Sequence, residues 1–376
     1  MDTDKKKCIA CQEFIQAGAR RCRYCGSPQQ PARWQTIGII LKWVGGITAV
    51  ISLLLASFSI NELISEWRDE RQTVADLVQA ADLQETSGNY SHAWSLLDEA
   101  LGLAPGSPSV RYQRIRLAMR WLRTIPPYNA DSNADLVEQL QPPLFIGAVQ
   151  EDISLRADVL AHIGWANFLL FLTGEPGLVV DKFYQDALQL DPDNPYANAM
   201  RGYSLMSWSE GGNSNAQSAA MPLAHFDTAL ASGEQQDFLN YLLFQSLEDK
   251  SYDTFYQLEF MRRYQQLTLQ DPERVRRRDY AKNLLRNVFD PDYADTSFQS
   301  SMLDEFAPAQ LLATWHYVRD PDPGSFDLYV GARLEANNGD PAAARLLLEQ
   351  AIAGANRGFE NYLGLFNDTL DQLPDP

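Results

Sequence analysis

The chain lacks most of the residues and motifs that catalytic chemistry requires. After Cys25 it has no cysteine, and its histidines are few and far apart. It also has no glycine-rich phosphate loop, no His-Glu-x-x-His motif and no nucleophile elbow. We therefore expect a protein that is not an enzyme, in which each histidine is a structural residue. The four histidines are His92, His162, His225 and His316.

The chain also has fewer positively charged than negatively charged residues. There are 31 Lys and Arg against 49 Asp and Glu, a net charge of −18, which disfavours a nucleic-acid-binding body because phosphate neutralisation needs clustered cations. Residues 1–60 have the opposite charge balance, with eight Lys and Arg and only three Asp and Glu. A basic head and an acidic body indicate two compartments or two kinds of partner.

All the cysteines lie in the basic head, where they form two pairs of the type Cys-x2-Cys. The pairs are Cys8 with Cys11 and Cys22 with Cys25. Four thiolates at this spacing suit a closed, tetrahedral, structural Zn²⁺ site, and metal binding would supply most of the folding free energy of so short a segment. Redox-active thiols and a rubredoxin-like iron site remain alternatives.

The segment KKCIACQEFIQAGARRCRYCGSP resembles the short bacterial zinc ribbon found at the termini of many membrane-associated proteins. The resemblance rests on the paired cysteines, Phe14 and Ile15 between them, Ala19, and the Cys-Gly step that ends at Gly26. It covers residues 1–30 and implies a zinc site without implying an activity.

A long apolar run follows the linker at residues 31–36. Residues 43–60 contain no charge, and an extension back to residue 37 adds only Lys42, which can reach the headgroups from near a helix end. We interpret 37–60 as a transmembrane helix in contact with the lipid bilayer, followed by a juxtamembrane helix at 61–73. A buried core helix and a cleaved signal peptide are the alternatives.

The flanking charges predict the orientation. Lys and Arg cluster before residues 37–60, and the residues just after them are net acidic. The positive-inside rule then places the N-terminus in the cytoplasm and the C-terminal domain on the periplasmic side of a bacterial inner membrane, as a single-pass protein.

From residue 74 to residue 376 the apolar spacing is that of helices, and we expect an all-α fold. The predicted loops are Ile125–Asp135, Gln141–Leu144, Ser209–Ser218, Asp290–Ser297 and Arg319–Ser325. Between them, small and large residues recur at fixed offsets. The first set is Ala81, Gly88, Ala93, Leu97, Ala100 and Pro105, and the second is Ala332, Gly339, Ala344, Leu348 and Ala351. Partial sets are Tyr184, Ala187 and Pro192, and then Pro195, Gly202, Phe226 and Ala229.

This pattern resembles the tetratricopeptide repeat (TPR), a pair of antiparallel helices whose small residues permit close packing. The resemblance covers residues 74–107, 161–235 and 325–358. It implies a TPR-like helical-repeat solenoid whose groove binds proteins. Residues 108–160 and 236–324 match poorly, so degenerate repeats or other helices are both possible there.

A cluster of cations stands out in the acidic body. We interpret it as ion-paired to neighbouring carboxylates, with binding of an anionic partner or nucleic acid as the alternative. Its members are Arg262, Arg263, Arg274, Arg276, Arg277, Arg278, Lys282 and Arg286.

Together these features favour a membrane-anchored protein-interaction scaffold with a structural zinc head. The alternative is a regulatory or signalling membrane protein whose zinc head contacts a cytoplasmic protein or nucleic acid. An enzyme with its active site in 236–324 is a third hypothesis, supported by no motif. The sequence does not indicate an oligomeric state.

Overall fold

The computed structural model describes residues 4–29, 68, 70–208, 216–233, 236–355 and 359–374. The predicted linker at 31–36, the predicted transmembrane helix at 37–60 and most of the predicted juxtamembrane helix at 61–73 lie outside the described residues. The head at 4–29 and the body from residue 70 onward are therefore described separately.

The head is a small β-structure built around its cysteines. Strand β1 (Lys5–Lys7) pairs antiparallel with strand β2 (Phe14–Gln16), with Lys6 opposite Ile15. Ile15 is buried against Cys8 and Cys22, and Phe14 is exposed.

The body is all-α in its described residues. Its first helix, α1, covers residues 70–86. The others are α2 (Tyr90–Leu103), α3 (Pro108–Arg123), α4 (Ala134–Gly147), α5 (Ile153–Leu172), α6 (Asp181–Leu190), α7 (Pro195–Trp208), α8 (Ala216–Ala231), α9 (Gln236–Asp249), α10 (Thr254–Gln266), α11 (Pro272–Arg276), α12 (Arg278–Phe289), α13 (Thr296–Glu305), α14 (Pro308–Val318), α15 (Ser325–Asn337), α16 (Pro341–Gly354) and α17 (Leu363–Gln372). Short 3₁₀ turns lie at Pro127–Asn129, Asp131–Asn133 and Glu360–Tyr362.

The helices pack as a repeat array. Neighbours in sequence pair, as α5 does with α6, α7 with α8 and α15 with α16, and alternate helices also touch, so that α3, α5, α7 and α9 form a continuous row. In a solenoid, each helix pair contacts mainly the helix pairs next to it along the array. The all-α, TPR-like helical-repeat architecture predicted from the spacing of small residues is confirmed.

The turns of the first and last clear repeats are built in the same way. Gly88 and Gly339 have φ of 79° and 88°, a left-handed conformation that glycine adopts without steric cost. In both turns the glycine N–H bonds the carbonyl three residues back, and the next N–H bonds the carbonyl five residues back. This Schellman arrangement ends one helix and reverses the chain into its partner.

Small residues set the distance between paired helices in the middle of the array. A Cβ on Gly164 would lie 2.7 Å from a ring carbon of Tyr184, and a Cβ on Gly202 would lie 3.1 Å from the ring of Phe226. The large ring fills the space beside the glycine, as the repeat pattern predicts. The predicted pattern positions Ala93, Leu97, Ala344 and Leu348 are also buried.

One predicted loop is wrong. Residues Gln141–Leu144 lie inside α4, which continues through Pro142 and Pro143. Each proline removes a hydrogen bond to the carbonyl four residues earlier. Those carbonyls belong to Glu138 and Gln139, which are exposed, so water can satisfy them and the helix need not end.

Helix α5 is the one described helix that is long and apolar enough to cross a membrane. It is instead an inner helix of the row, between α3 and α7, and 67% of its most apolar stretch is buried. Trp165 and Phe168 stack on each other and are fully buried in the continuous core of the body. Its apolar character is therefore explained by packing within the array.

Candidate metal centre and candidate binding groove

The four predicted metal ligands converge. The sulfurs of Cys8, Cys11, Cys22 and Cys25 all lie within 4.8 Å of one another. Cys8 Sγ is 3.6 Å from Cys25 Sγ, and Cys11 Sγ is 3.5 Å from Cys22 Sγ. Tetrahedral Zn–S bonds of about 2.3 Å separate neighbouring sulfurs by about 3.8 Å, so the arrangement fits such an ion.

The first cysteine pair forms a tight turn that points its thiols inward. The N–H of Cys8 bonds the carbonyl of Glu13 at 2.8 Å, and the N–H of Gln12 bonds the carbonyl of Cys8 at 3.1 Å. The N–H of Ala10 points at Cys8 Sγ, 3.4 Å away. Gln12, directly after the second cysteine, has a left-handed φ of 64°.

The second cysteine pair forms the same turn with the equivalent hydrogen bonds. The N–H of Cys22 bonds the carbonyl of Ser27, the N–H of Gly26 bonds the carbonyl of Cys22, and the N–H of Tyr24 points at Cys22 Sγ. Gly26 takes the place of Gln12 and has φ of 75°. Two equivalent knuckles facing each other form a closed four-sulfur site.

Two polar residues complete the surroundings of the sulfurs. Gln29 Nε2 donates to Cys8 Sγ at 3.1 Å, and its Oε1 accepts the N–H of Ile9. Ser27 Oγ lies 2.6 Å from Cys25 Sγ and lowers the pKa of that thiol. A hydrogen bond from the N–H of Cys11 lowers the pKa of the Cys8 thiol to about 6. The sequence did not identify Gln29, which reaches Cys8 only after the second knuckle has folded back on the first, or Ser27, whose contact with Cys25 depends on the turn of the second knuckle.

The head also presents apolar and aromatic side chains to solvent. Ile9, Phe14 and Tyr24 are each more than half exposed. Lys7 Nζ lies 5.5 Å from the centre of the Phe14 ring, and the Arg23 guanidinium lies 4.7 Å from that of Tyr24. The outer face of the head is therefore both basic and apolar.

Across the described residues, the cysteine cluster is the one group of three or more Cys, His, Asp or Glu whose ligand atoms converge. Three of the four histidines occupy packed or paired positions, and His92 is exposed. His162 is buried, its Nδ1 lies 2.6 Å from the Asp158 carbonyl, and burial lowers its pKa to about 3. His225 Nδ1 lies 2.8 Å from Asn198 Oδ1, and His316 Nε2 lies 3.5 Å from Glu335.

The arginine-rich segment is ion-paired, which confirms the first interpretation of its charges. Arg277 bridges Glu248 and Glu273, and Glu273 is only 1% exposed. Burial raises the pKa of both glutamates against the opposing effect of Arg277. The remaining pairs are Arg262 with Glu259 and Glu305, Arg263 with Asp227 and Glu259, Arg276 with Glu273, Arg278 with Asp320, Lys282 with Asp320 and Asp327, and Arg286 with Asp327. Arg274 lies over the rings of Tyr264 and Tyr317.

A cavity of about 800 Å³ opens inside the curve of the helix row, and we call it the arginine-tyrosine groove. It is lined by Tyr90, Arg120, Arg123, Thr124, Pro126, Tyr128, Asp237, Phe238, Tyr241, Gln245, Arg276 and Arg277. Helices α3 and α9 stand at opposite ends of the row yet line the same cavity, so the row curves around it. Sequence analysis predicted a groove and named Arg276 and Arg277 in the cation cluster, but it assigned no residue to the groove wall, because the wall comes from segments more than a hundred residues apart.

A second cavity, about 340 Å³, shares Tyr128 and Gln245 with the groove. Its lining includes Tyr203, Asp131 and Asp249. Tyr203 donates a hydrogen bond to Asp249 at 3.0 Å. The two cavities are therefore neighbours, the first lined by four arginines and the second by two aspartates.

No protein-family model and no curated protein matches the chain. Among solved structures, it is similar to a tetratricopeptide repeat protein from Parabacteroides merdae, with 13% identity over 80% of this chain and 98% of that one, and a TM-score of 0.34. A TM-score of this size does not establish a shared fold, so the helical-repeat assignment depends on the helix pairs and turns described above.

Proposed function

We propose that this chain is a membrane-anchored scaffold that binds partner proteins in the groove of its helical-repeat body. The observation that carries the proposal is a cavity with polar and aromatic walls that is lined by both α3 and α9, the two ends of the row α3, α5, α7 and α9. A preformed groove of this kind can hold an extended segment of another protein without large rearrangement. Among the described residues, the group of converging metal ligands lies in the head, and the support for binding in the body is the groove itself.

We further propose that Cys8, Cys11, Cys22 and Cys25 bind one structural Zn²⁺. The repeated knuckle geometry and the sulfur separations support this assignment. Metal analysis of the purified full chain should give one zinc per polypeptide, and the variant with Cys8→Ser and Cys11→Ser should give none. One iron per chain, with the absorbance of an iron-thiolate centre, would instead favour the rubredoxin-like alternative.

The membrane assignment is part of the same proposal. Residues 37–60 would cross the bacterial inner membrane, with the zinc head in the cytoplasm and the repeat body on the periplasmic side. The support is the uncharged run at 43–60 and the basic flank before it.

A capture experiment tests the scaffold function. Full-length protein, purified from detergent-solubilised membranes with its bound partners, should retain one or more specific proteins that a groove variant loses. The groove variant replaces Tyr128, which is 72% exposed, with Ala. Tyr252→Ala is the matched control, since Tyr252 is also exposed and lies outside the groove. Recovery of the same proteins, or of none, with both variants would reject the groove as the binding site.

A second function, regulation through the head, is favoured by the basic and apolar face around Ile9, Phe14 and Tyr24. A cytoplasmic protein could dock on that face while the body binds its partner. Phe14→Ser and Tyr24→Ser should then abolish a cellular phenotype without changing the zinc content or the amount of membrane-inserted protein. An unchanged phenotype would leave the head as a purely structural unit.

A further inference from the structure

We propose that the arginine-tyrosine groove recognises an extended peptide segment that carries acidic residues at one end and a basic residue several positions away. This inference rests on the proposed scaffold function and gives the chemistry of the partner. The acidic residues would lie against Arg120 and Arg276, and the peptide chain would cross Tyr128 toward Asp131 and Asp249.

The lining of the groove is rich in arginine although the chain as a whole is acidic. The lining holds four arginines and one aspartate, in a chain whose overall net charge is −18. Arg120 pairs with Glu85 at 2.6 Å and keeps 35% of its side chain exposed, and Arg276 pairs with Glu273 and is 52% exposed. A guanidinium has five N–H donors, and each of these two arginines contacts its carboxylate through a single nitrogen. Donors therefore remain for a carboxylate of the ligand.

The groove also has aromatic surfaces suited to a peptide. Tyr128 is largely exposed above the cavity, and Phe238 is half-buried in its wall. The hydroxyl of Tyr241 is buried and has no hydrogen-bond partner among the described residues. Burial and the nearby Tyr128 raise the pKa of Tyr241 to about 12, so its hydroxyl stays protonated and the ring is an uncharged part of the wall.

The distribution of charged residues over the two neighbouring cavities favours a peptide over nucleic acid. The cavity beside the groove is lined by Asp131 and Asp249, which repel a phosphate backbone. A nucleic acid carries the same charge at every step, and the acidic body would also slow its approach. A peptide can place carboxylates at the arginines and an ammonium or guanidinium at the aspartates.

A peptide array identifies the class of ligand. The full chain in detergent micelles is used to probe ten-residue peptides of three classes. The mixed class has acidic residues at one end and a lysine at the other, the second class has acidic residues only, and the third has basic residues only. The mixed class should bind best. The tightest peptide is then labelled with fluorescein, and its dissociation constant is measured by anisotropy.

Variants locate the binding site. The double variant with Arg120→Gln and Arg276→Gln should weaken binding roughly tenfold or more, since each lost contact is a charge-assisted hydrogen bond. Tyr128→Ala should also weaken it roughly tenfold. Arg319→Gln and Tyr252→Ala are matched controls, because both side chains are exposed and lie outside the groove; they should leave the dissociation constant unchanged.

Three outcomes would overturn the inference. They are a preference for the basic class, equal loss in the control variants, and tighter binding of a fluorescein-labelled single-stranded RNA that the double variant abolishes. The scaffold function is judged separately, because proteins captured from membranes and lost on Tyr128→Ala would still support it if no acidic peptide bound.

Discussion

The surroundings of a single side chain determine its protonation state, as His162 shows. It is fully buried, its Nδ1 can donate to the Asp158 carbonyl, and its Nε2 has no partner among the described residues. With a pKa lowered from 6.5 to about 3 by burial, it stays neutral in the fold but takes up a proton on unfolding below pH 6.5. Its stabilising contribution is therefore complete above pH 6.5 and is lost progressively as the pH falls toward 3.

This predicts a pH dependence specific to His162. When the pH falls from about 7.5 to about 5.5, the protonation of His162 in the unfolded chain should lower the free energy of unfolding by roughly 1.4 kcal/mol. In His162→Leu this loss should be absent, and in His92→Leu it should persist, since His92 is exposed. Denaturant unfolding at both pH values measures the difference, and identical pH profiles for the wild type and His162→Leu would contradict the burial argument.

The knuckles give a second prediction at the level of one residue. Gly26 and Gln12 occupy equivalent left-handed positions, which cost a non-glycine residue about 1 kcal/mol. If folding of the head is coupled to metal binding, Gly26→Ala should weaken zinc affinity roughly fivefold, and Gln12→Gly should not weaken it. Gly18→Ala is the control, because its φ is ordinary and its Cβ meets nothing within 4 Å. Competition with a zinc chelator gives the affinities, and equal affinities for Gly26→Ala and Gly18→Ala would be evidence against the knuckle geometry.

Helix pairing depends on the close approach at a few glycines. Gly164→Ala should destabilise the body by about 1 to 3 kcal/mol, since the new Cβ would overlap the ring of Tyr184. Gly102→Ala should stabilise it by up to about 1 kcal/mol, because Gly102 is in a helix with open space beside it. Thermal unfolding distinguishes the two, and a loss in both variants would refute the role assigned to close packing at Gly164.

The sequence patterns predicted which segments form helices better than they predicted where each helix begins and ends. The small residues of the first and last repeats lie where the repeat requires them, because close packing and helix reversal each demand a specific residue type. Pro142 and Pro143 were misread, since their effect on α4 depends on whether Glu138 and Gln139 face water. The paired thiols were found by spacing alone, whereas Gln29 and Ser27 needed the folded knuckles. The groove could not be assembled from local patterns, because Arg120 on α3 and Arg276 on α11 line one cavity although many helices separate them in sequence. Arg276 and Arg277 stood out only as members of the cation cluster.

The whole molecule combines a basic, cysteine-containing head with an acidic, cysteine-free body, and the proposed bilayer crossing at 37–60 explains why the two differ. Thiolates bound to zinc persist in a reducing compartment, and a body without cysteine needs no oxidative processing. Acidic surfaces elsewhere on the body would attract basic partners and accelerate their association at low salt, in addition to the ligand proposed for the groove.

Topology mapping tests this arrangement. Alkaline phosphatase and a green fluorescent protein are each fused after Pro31 and after Pro376 in living cells. The expected result is fluorescence without phosphatase activity at Pro31, and phosphatase activity without fluorescence at Pro376. The same reporter active at both positions, or recovery of the intact chain in the soluble fraction without lipid, would contradict a membrane-spanning scaffold.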